Sequence, residues 1–178
     1  MRLVICAGVA LAAVASSSWQ VRVSEGIAGI RLGMTRAQVA ARIGKPYGIS
    51  LPTGNVKCEM YARIAAFGAC FDKRTRRVVS LDGIGPKFCV ARPRFCFQRV
   101  GGLAKLKRAF GRRLVGPVRR DEDVFYEVVV RRGSARVQSA FVIDTLSSPP
   151  YRGSAVVAVY ISFCGWQGKI VPPCPKRR

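Results

Sequence analysis

From residue 123 onward the chain alternates: Val124, Tyr126, Val128 and Val130 fall on one side of an extended strand, and Phe125, Glu127, Val129 and Arg131 on the other. A period of two predicts antiparallel sheet with one face on a core. Runs rich in β-branched and aromatic residues predict further strands over 135–144 and 154–164, and, earlier in the chain, over 56–62, 66–71 and 77–82. Turn residues separate them at 63–65, at Asp72-Lys73-Arg74-Thr75, at Arg132-Gly133-Ser134 and at Ser147-Ser148-Pro149-Pro150.

At two places the apolar spacing becomes helical. Ala37, Val39, Ala40 and Ile43 precede Gly44, and Ala104, Leu106, Ala109 and Phe110 precede Gly111. Each pattern predicts a short amphipathic helix ending in a left-handed glycine cap. Thr35 and Gln38 have capping-box spacing, and Lys45-Pro46 stops the first helix, which should run about three turns. Gly33 fits a positive φ or a close approach before that helix. Its rival role, an anion site at the helix start, would use the free backbone amides there.

The segment from Gly29 to Pro46 returns in degenerate form from Val100 to Gly111. Such a duplication predicts an α+β fold of two tandem repeats, each with short helices packed on an antiparallel sheet of about three to four strands. The first repeat would occupy 16–84 and the second 85–165, followed by a basic, Pro-rich tail over 166–178 with Pro172, Pro173 and Pro175. The glycine-bracketed start and the TxxQV helix followed by Gly and Pro resemble the repeat of the β-lactamase inhibitory protein-like fold, a unit shared by small outer-membrane assembly lipoproteins. The resemblance implies a non-enzymatic protein-binding module of the cell envelope or outside. Inhibition of a β-lactamase is not carried over, since no matching contact residues are present.

Arg2, the apolar run from Leu3 to Ala15 and the small residues Ala13-Val14-Ala15 predict a signal peptide over 1–15. The run is too short to span a bilayer, which takes roughly 20 residues. Two alternatives are a retained anchor and a lipoprotein modified at Cys6, though Cys6 precedes most of the apolar run instead of following it. Cleavage leaves Cys58, Cys70, Cys89, Cys96, Cys164 and Cys174, an even set that points to three disulfides in an oxidising compartment. Local pairing, Cys58 with Cys70, Cys89 with Cys96 and Cys164 with Cys174, is preferred among the connectivities that six cysteines allow. A metal site is a poor rival, because the chain has no CxxC and no histidine.

The missing histidine also excludes imidazole-based triads and proton shuttles, leaving carboxylate, lysine or tyrosine chemistry. Asp121, Glu122 and Asp123 stand together after Arg119 and Arg120 and read as a solvated, charge-compensated turn. No P-loop, GxSxG elbow or dinucleotide fingerprint occurs, so no catalytic residue, cofactor or metal is expected.

The formal charge is +22, from 31 Lys and Arg against nine acids, and the field should attract polyanions nonspecifically. The cations are scattered in short clusters instead of forming one stripe. Phe95, Phe97 and Arg99 beside Arg92 and Arg94 give only a fragment of the interleaved pattern that nucleic-acid binders use. The reading is therefore a secreted or envelope-located, noncatalytic binding protein whose partner is a protein or an anionic envelope polymer. Its alternatives are a small secreted hydrolase using Asp or Glu, and a nonspecific nucleic-acid binder.

Overall fold

A computed structural model describes residues 19–49, 54–61, 66–149, 152–164 and 174. The expected leader with Cys6, the turn at 63–65, Tyr151, Trp166 and the tail apart from Cys174 lie outside the described residues. In chain order the elements are β1 (Trp19–Arg22), β2 (Gly26–Ile27), β3 (Ile30–Arg31), α1 (Arg36–Ile43), β4 (Gly48–Ile49), β5 (Val56–Tyr61), β6 (Ala66–Asp72) and β7 (Val78–Ile84). They continue as β8 (Phe88–Val90), β9 (Phe95–Cys96), α2 (Gly102–Phe110), a 3-10 turn (Gly111–Arg113), β10 (Leu114–Arg120), β11 (Asp123–Arg132), β12 (Ala135–Ile143) and β13 (Val156–Phe163).

The tandem-repeat expectation is overturned by how these strands pair. One eight-stranded sheet runs β10-β11-β12-β13-β7-β6-β5-β4, and β13 bonds antiparallel to β7, with Ile161 opposite Leu81. Strands from the two expected units thus merge edge to edge into one sheet, which leaves two open edges, β10 and β4, where two separate sheets would present four. A second, five-stranded sheet, β3-β2-β1-β8-β9, also interleaves them, since β1 runs parallel to β8. The fold is mostly β, with two α-helices among the described residues, and the likeness to a helix-on-sheet repeat of the β-lactamase inhibitory protein-like kind falls with it.

Both helices and the smaller sheet contribute to the core on one face of the large sheet. Val21, Ile27, Ile30, Phe88 and Val90 share that core with Phe67, Leu81, Phe141, Val159 and Ile161 of the large sheet and with Val39 and Leu106 of the helices. The Phe88 ring lies over Gly83, where a Cβ would come within 2.8 Å of it, so glycine is what lets the two sheets approach. Trp19 packs against Phe67 and Phe88, with ring centroids 5.8 and 5.7 Å away. Burial of such rings stabilises at about 25 cal/mol per Å² of apolar surface removed from water.

α1 is shorter than its pattern suggested, a little over two turns, because Pro46 and Gly44 end it early. Its capping box is complete: the Thr35 N–H donates to Gln38 Oε1 at 2.8 Å, and Thr35 Oγ1 accepts from the Gln38 N–H at 3.3 Å. Gly44 (φ 86°, ψ −170°) and Gly111 (φ 49°, ψ −126°) cap the two helices, but their ψ values lie outside the left-handed helical basin that was expected. These combinations are open essentially to glycine alone. Gly33 also has positive φ, 85°, and donates to Val78 O at 2.8 Å while its carbonyl accepts from Arg77. Its role is to stitch the start of α1 to β7. Of the apolar positions counted on α1 only Val39 is buried, and on α2 the buried set is Gly102, Leu103 and Leu106.

Candidate functional site

Three places on the molecule gather chemistry. The first is a cleft beside the smaller sheet. β8 turns back as β9, and the Cys89–Cys96 disulfide joins direct cross-strand partners, so the intervening turn is braced at its base. The Ala91 N–H donates to Val21 O at 2.9 Å and ties this hairpin to β1. Arg92 and Arg94 project from the turn, Arg22 stands at the end of β1, and all three are exposed. With Gln20, Glu25, Phe110 and Val130 they line a cleft of about 800 Å³.

Glu25 is the one acid in that lining, and its charge is already shared. Its Oε1 lies 3.2 Å from Arg132 Nη2 and its Oε2 3.9 Å from Arg22 Nη1. The cleft thus keeps a net positive field. Guanidinium forks match carboxylate and phosphate oxygens bidentately, which makes an anion the ligand this lining complements. Phe95 and Phe97, read from the sequence as a fragment of a stacking surface, are buried, and the Phe97 ring packs against both Phe95 and Phe88. They hold the hairpin from beneath and present no face to a base.

The second place is the far face of the large sheet. Register puts Glu127, Ala140, Tyr160, Asp82 and Gly68 in one row across five strands. Burial pushes the Glu127 carboxyl up to about 7, opposed by the nearby Gln138 side chain, and pushes Asp82 up to about 6. Burial, reinforced by the charge of Asp82, carries the Tyr160 hydroxyl to about 12. Perturbed carboxylates are what carboxylate catalysis needs. These two, however, are three strands apart, roughly 14 Å at ~4.8 Å per strand, whereas working carboxylate pairs stand about 5–10 Å apart. Both Glu127 oxygens are also sealed from solvent.

The sequence reading passed over Glu127 as an ordinary member of an alternating strand, and Asp82 as the end of one. The alternation itself was the available clue, since Glu127 shares its face with Phe125, and that face is buried too. Asp121 and Glu122, in the turn before β11, and Asp123, its first residue, are all exposed, as a solvated turn requires.

The third place is a groove beside α1, lined by Thr35, Arg36, Phe71 and cations of the β6–β7 turn. The structure also joins the three locally spaced cysteine pairs, Cys58–Cys70, Cys89–Cys96 and Cys164–Cys174. Cys58 and Cys70 face each other directly across β5 and β6. The Cys174 sulfur lies 3.4 Å from Gln138 Oε1; as a half-cystine it has no proton to donate, so this is a packing contact.

No family model matches the chain, and no curated protein sequence matches it. Among solved structures it is similar to an extracellular protein containing an SCP domain from Bacillus anthracis, with 12% identity, a TM-score of 0.48, and coverage of 74% of this chain and 43% of that one. It is also similar to a cysteine-rich secretory protein from Staphylococcus aureus, with 11% identity, a TM-score of 0.47, and coverage of 74% and 42%. The chain thus spans less than half the length of these structures.

Proposed function

We propose that this chain is an exported, noncatalytic binding protein whose Arg22–Arg92–Arg94 cleft takes an anionic component of the cell envelope. The carrying observation is the concave lining itself: three exposed arginines and a single acid, Glu25, which Arg22 of the lining shares with Arg132 outside it. A concave site concentrates field where a scattered surface charge does not. The three disulfides support an oxidising, extracytoplasmic location, where such bonds persist. The separation of Asp82 from Glu127 and the sealing of Glu127 support binding over carboxylate catalysis. The buried state of Phe95 and Phe97 disfavours base stacking, leaving nucleic acid to bind only through its phosphates.

Calorimetric titration with a short poly(glycerol phosphate) chain tests this reading. Replacing Arg22, Arg92 and Arg94 together by Gln should weaken binding about ten-fold or more, since losing even one charge-assisted contact costs roughly 1.5–3 kcal/mol. Removing the same charge from Lys45, Lys87 and Arg119, exposed residues outside the cleft, should change it far less. Equal losses in both variants would mean that net charge, and not the cleft, does the binding.

A further inference from the structure

We propose a second, independent site: the groove between α1 and the β6–β7 turn binds a single-chain anionic amphiphile, an apolar chain carrying a phosphate or carboxylate head. The groove measures about 960 Å³, within the size range of small-molecule sites, and shares no lining residue with the arginine cleft. Ala37 and Ala40 of α1 line it with carbon, and Phe71 of β6, only 2% exposed, lies at its base. Lys57, Lys73 and Arg76 bring three cations, against Asp72 as the one lining acid. Asp72 Oδ1 already accepts from the Thr75 N–H at 2.6 Å.

A buried network holds a fourth cation at the groove. Glu59, on β5, is buried, accepts the Tyr61 hydroxyl proton at 2.8 Å, and pairs with Arg36 Nη2 at 2.8 Å. The Arg36 guanidinium carbon lies 5.4 Å from the centre of the Phe71 ring. A guanidinium fixed on one side by a buried carboxylate and on another by an aromatic ring loses little freedom when a ligand arrives, and half of the Arg36 side chain remains exposed. Carbon walls without cations would suit a neutral apolar ligand, and cations without carbon would suit a small hydrophilic anion. The two together select a molecule with both parts.

Binding of monomeric dodecyl phosphate to the full chain, followed by calorimetry below the micelle concentration, provides the test. It should bind at least about ten-fold more tightly than inorganic phosphate, which lacks the chain, or dodecyltrimethylammonium, which inverts the head charge. Arg76→Glu, on an exposed turn, should weaken it about five-fold or more, and Ala37→Phe, which fills the groove from an exposed helix position, should do the same. Lys87→Gln with Arg119→Gln, exposed positions outside both linings, should leave it unchanged. Equal affinity for inorganic phosphate, no preference over the cationic amphiphile, indifference to both groove variants, or binding to anionic vesicles without binding to the monomer would each overturn the assignment.

Discussion

Gly68 and Asp82 face each other across β6 and β7, and the Asp82 carboxylate fills the space that a Cβ at position 68 would occupy, with Oδ2 2.7 Å from that point. The pair sits in the same row as Tyr160 and Glu127, so the far face of the sheet is shaped around carboxylates that burial holds near neutrality. Gly68→Ala must displace the Asp82 side chain and should destabilise by about 1–3 kcal/mol, the usual cost of overpacking. Asp82→Ala clears the space, so in the double variant most of that cost should vanish. Urea midpoints for the four members of the cycle measure this coupling; strict additivity would show that the two residues do not compete.

Glu127 gives the fold a pH dependence opposite to that of paired carboxylates. Its folded value, about 7, lies above the ordinary 4.5, so the native state holds the proton more tightly than the unfolded chain does. Stability contributed by the protonated form is complete below the unfolded value and is lost as pH rises toward 7. Glu127→Gln should remove this slope and stabilise the protein at pH 8 by at most ~3 kcal/mol. Asp72 and Asp144 act in the other direction and in a lower window. Hydrogen bonds from Thr75 and Ser147 hold their values down, so the stability they add is present above the ordinary carboxylate range and lost as pH falls through it. Thermal melts of wild type and Glu127→Gln between pH 4 and 8 separate the two; parallel curves would contradict the role given to Glu127.

The α1 cap is testable in isolation. Thr35→Ala removes one half of a complete capping box and should cost about 1 kcal/mol. Gly44→Ala places a Cβ at φ 86° and should cost ~1 kcal/mol or more. Unchanged denaturation midpoints in both variants would mean that this helix contributes little to the cooperative unit.

The disulfides enclose short loops, with separations of 12, 7 and 10 residues. Each should contribute roughly 2–3 kcal/mol by restricting the unfolded chain. Nonreducing peptide mapping of the exported protein should recover Cys58–Cys70, Cys89–Cys96 and Cys164–Cys174; free thiols at these positions would contradict both the pairing and the compartment.

Six of the long strands of the large sheet were legible, whereas β10, seven residues with Gly116 and Pro117 inside it, was missed. β11, β12 and β13 show in their alternation, β5, β6 and β7 in their composition, and the cap of α1 in Thr35 and Gln38. What could not be read was pairing across the two halves: nothing local in Leu81 or Ile161 says that they are partners, since that contact spans the chain. The smaller sheet escaped for another reason. β2, β3 and β9 are two residues long, too short to carry any period. The apparent duplication was real as two helix-ending glycines but did not extend to tertiary structure. Arg92 and Arg94 were noted only beside Phe95, Phe97 and Arg99, and Arg22, far away in sequence, joins them because β1 lies parallel to β8.

The arginine cleft is most directly tested by following the side-chain Nε–Hε resonances of every arginine while a short poly(glycerol phosphate) chain is added at about 150 mM salt, where exposed, unfocused charges are largely screened. Arg22, Arg92 and Arg94 should move first and saturate together, with the remaining arginines responding only when salt is lowered. Simultaneous, unsaturated shifts spread evenly over the arginines would contradict a binding cleft and leave only a diffuse positive field.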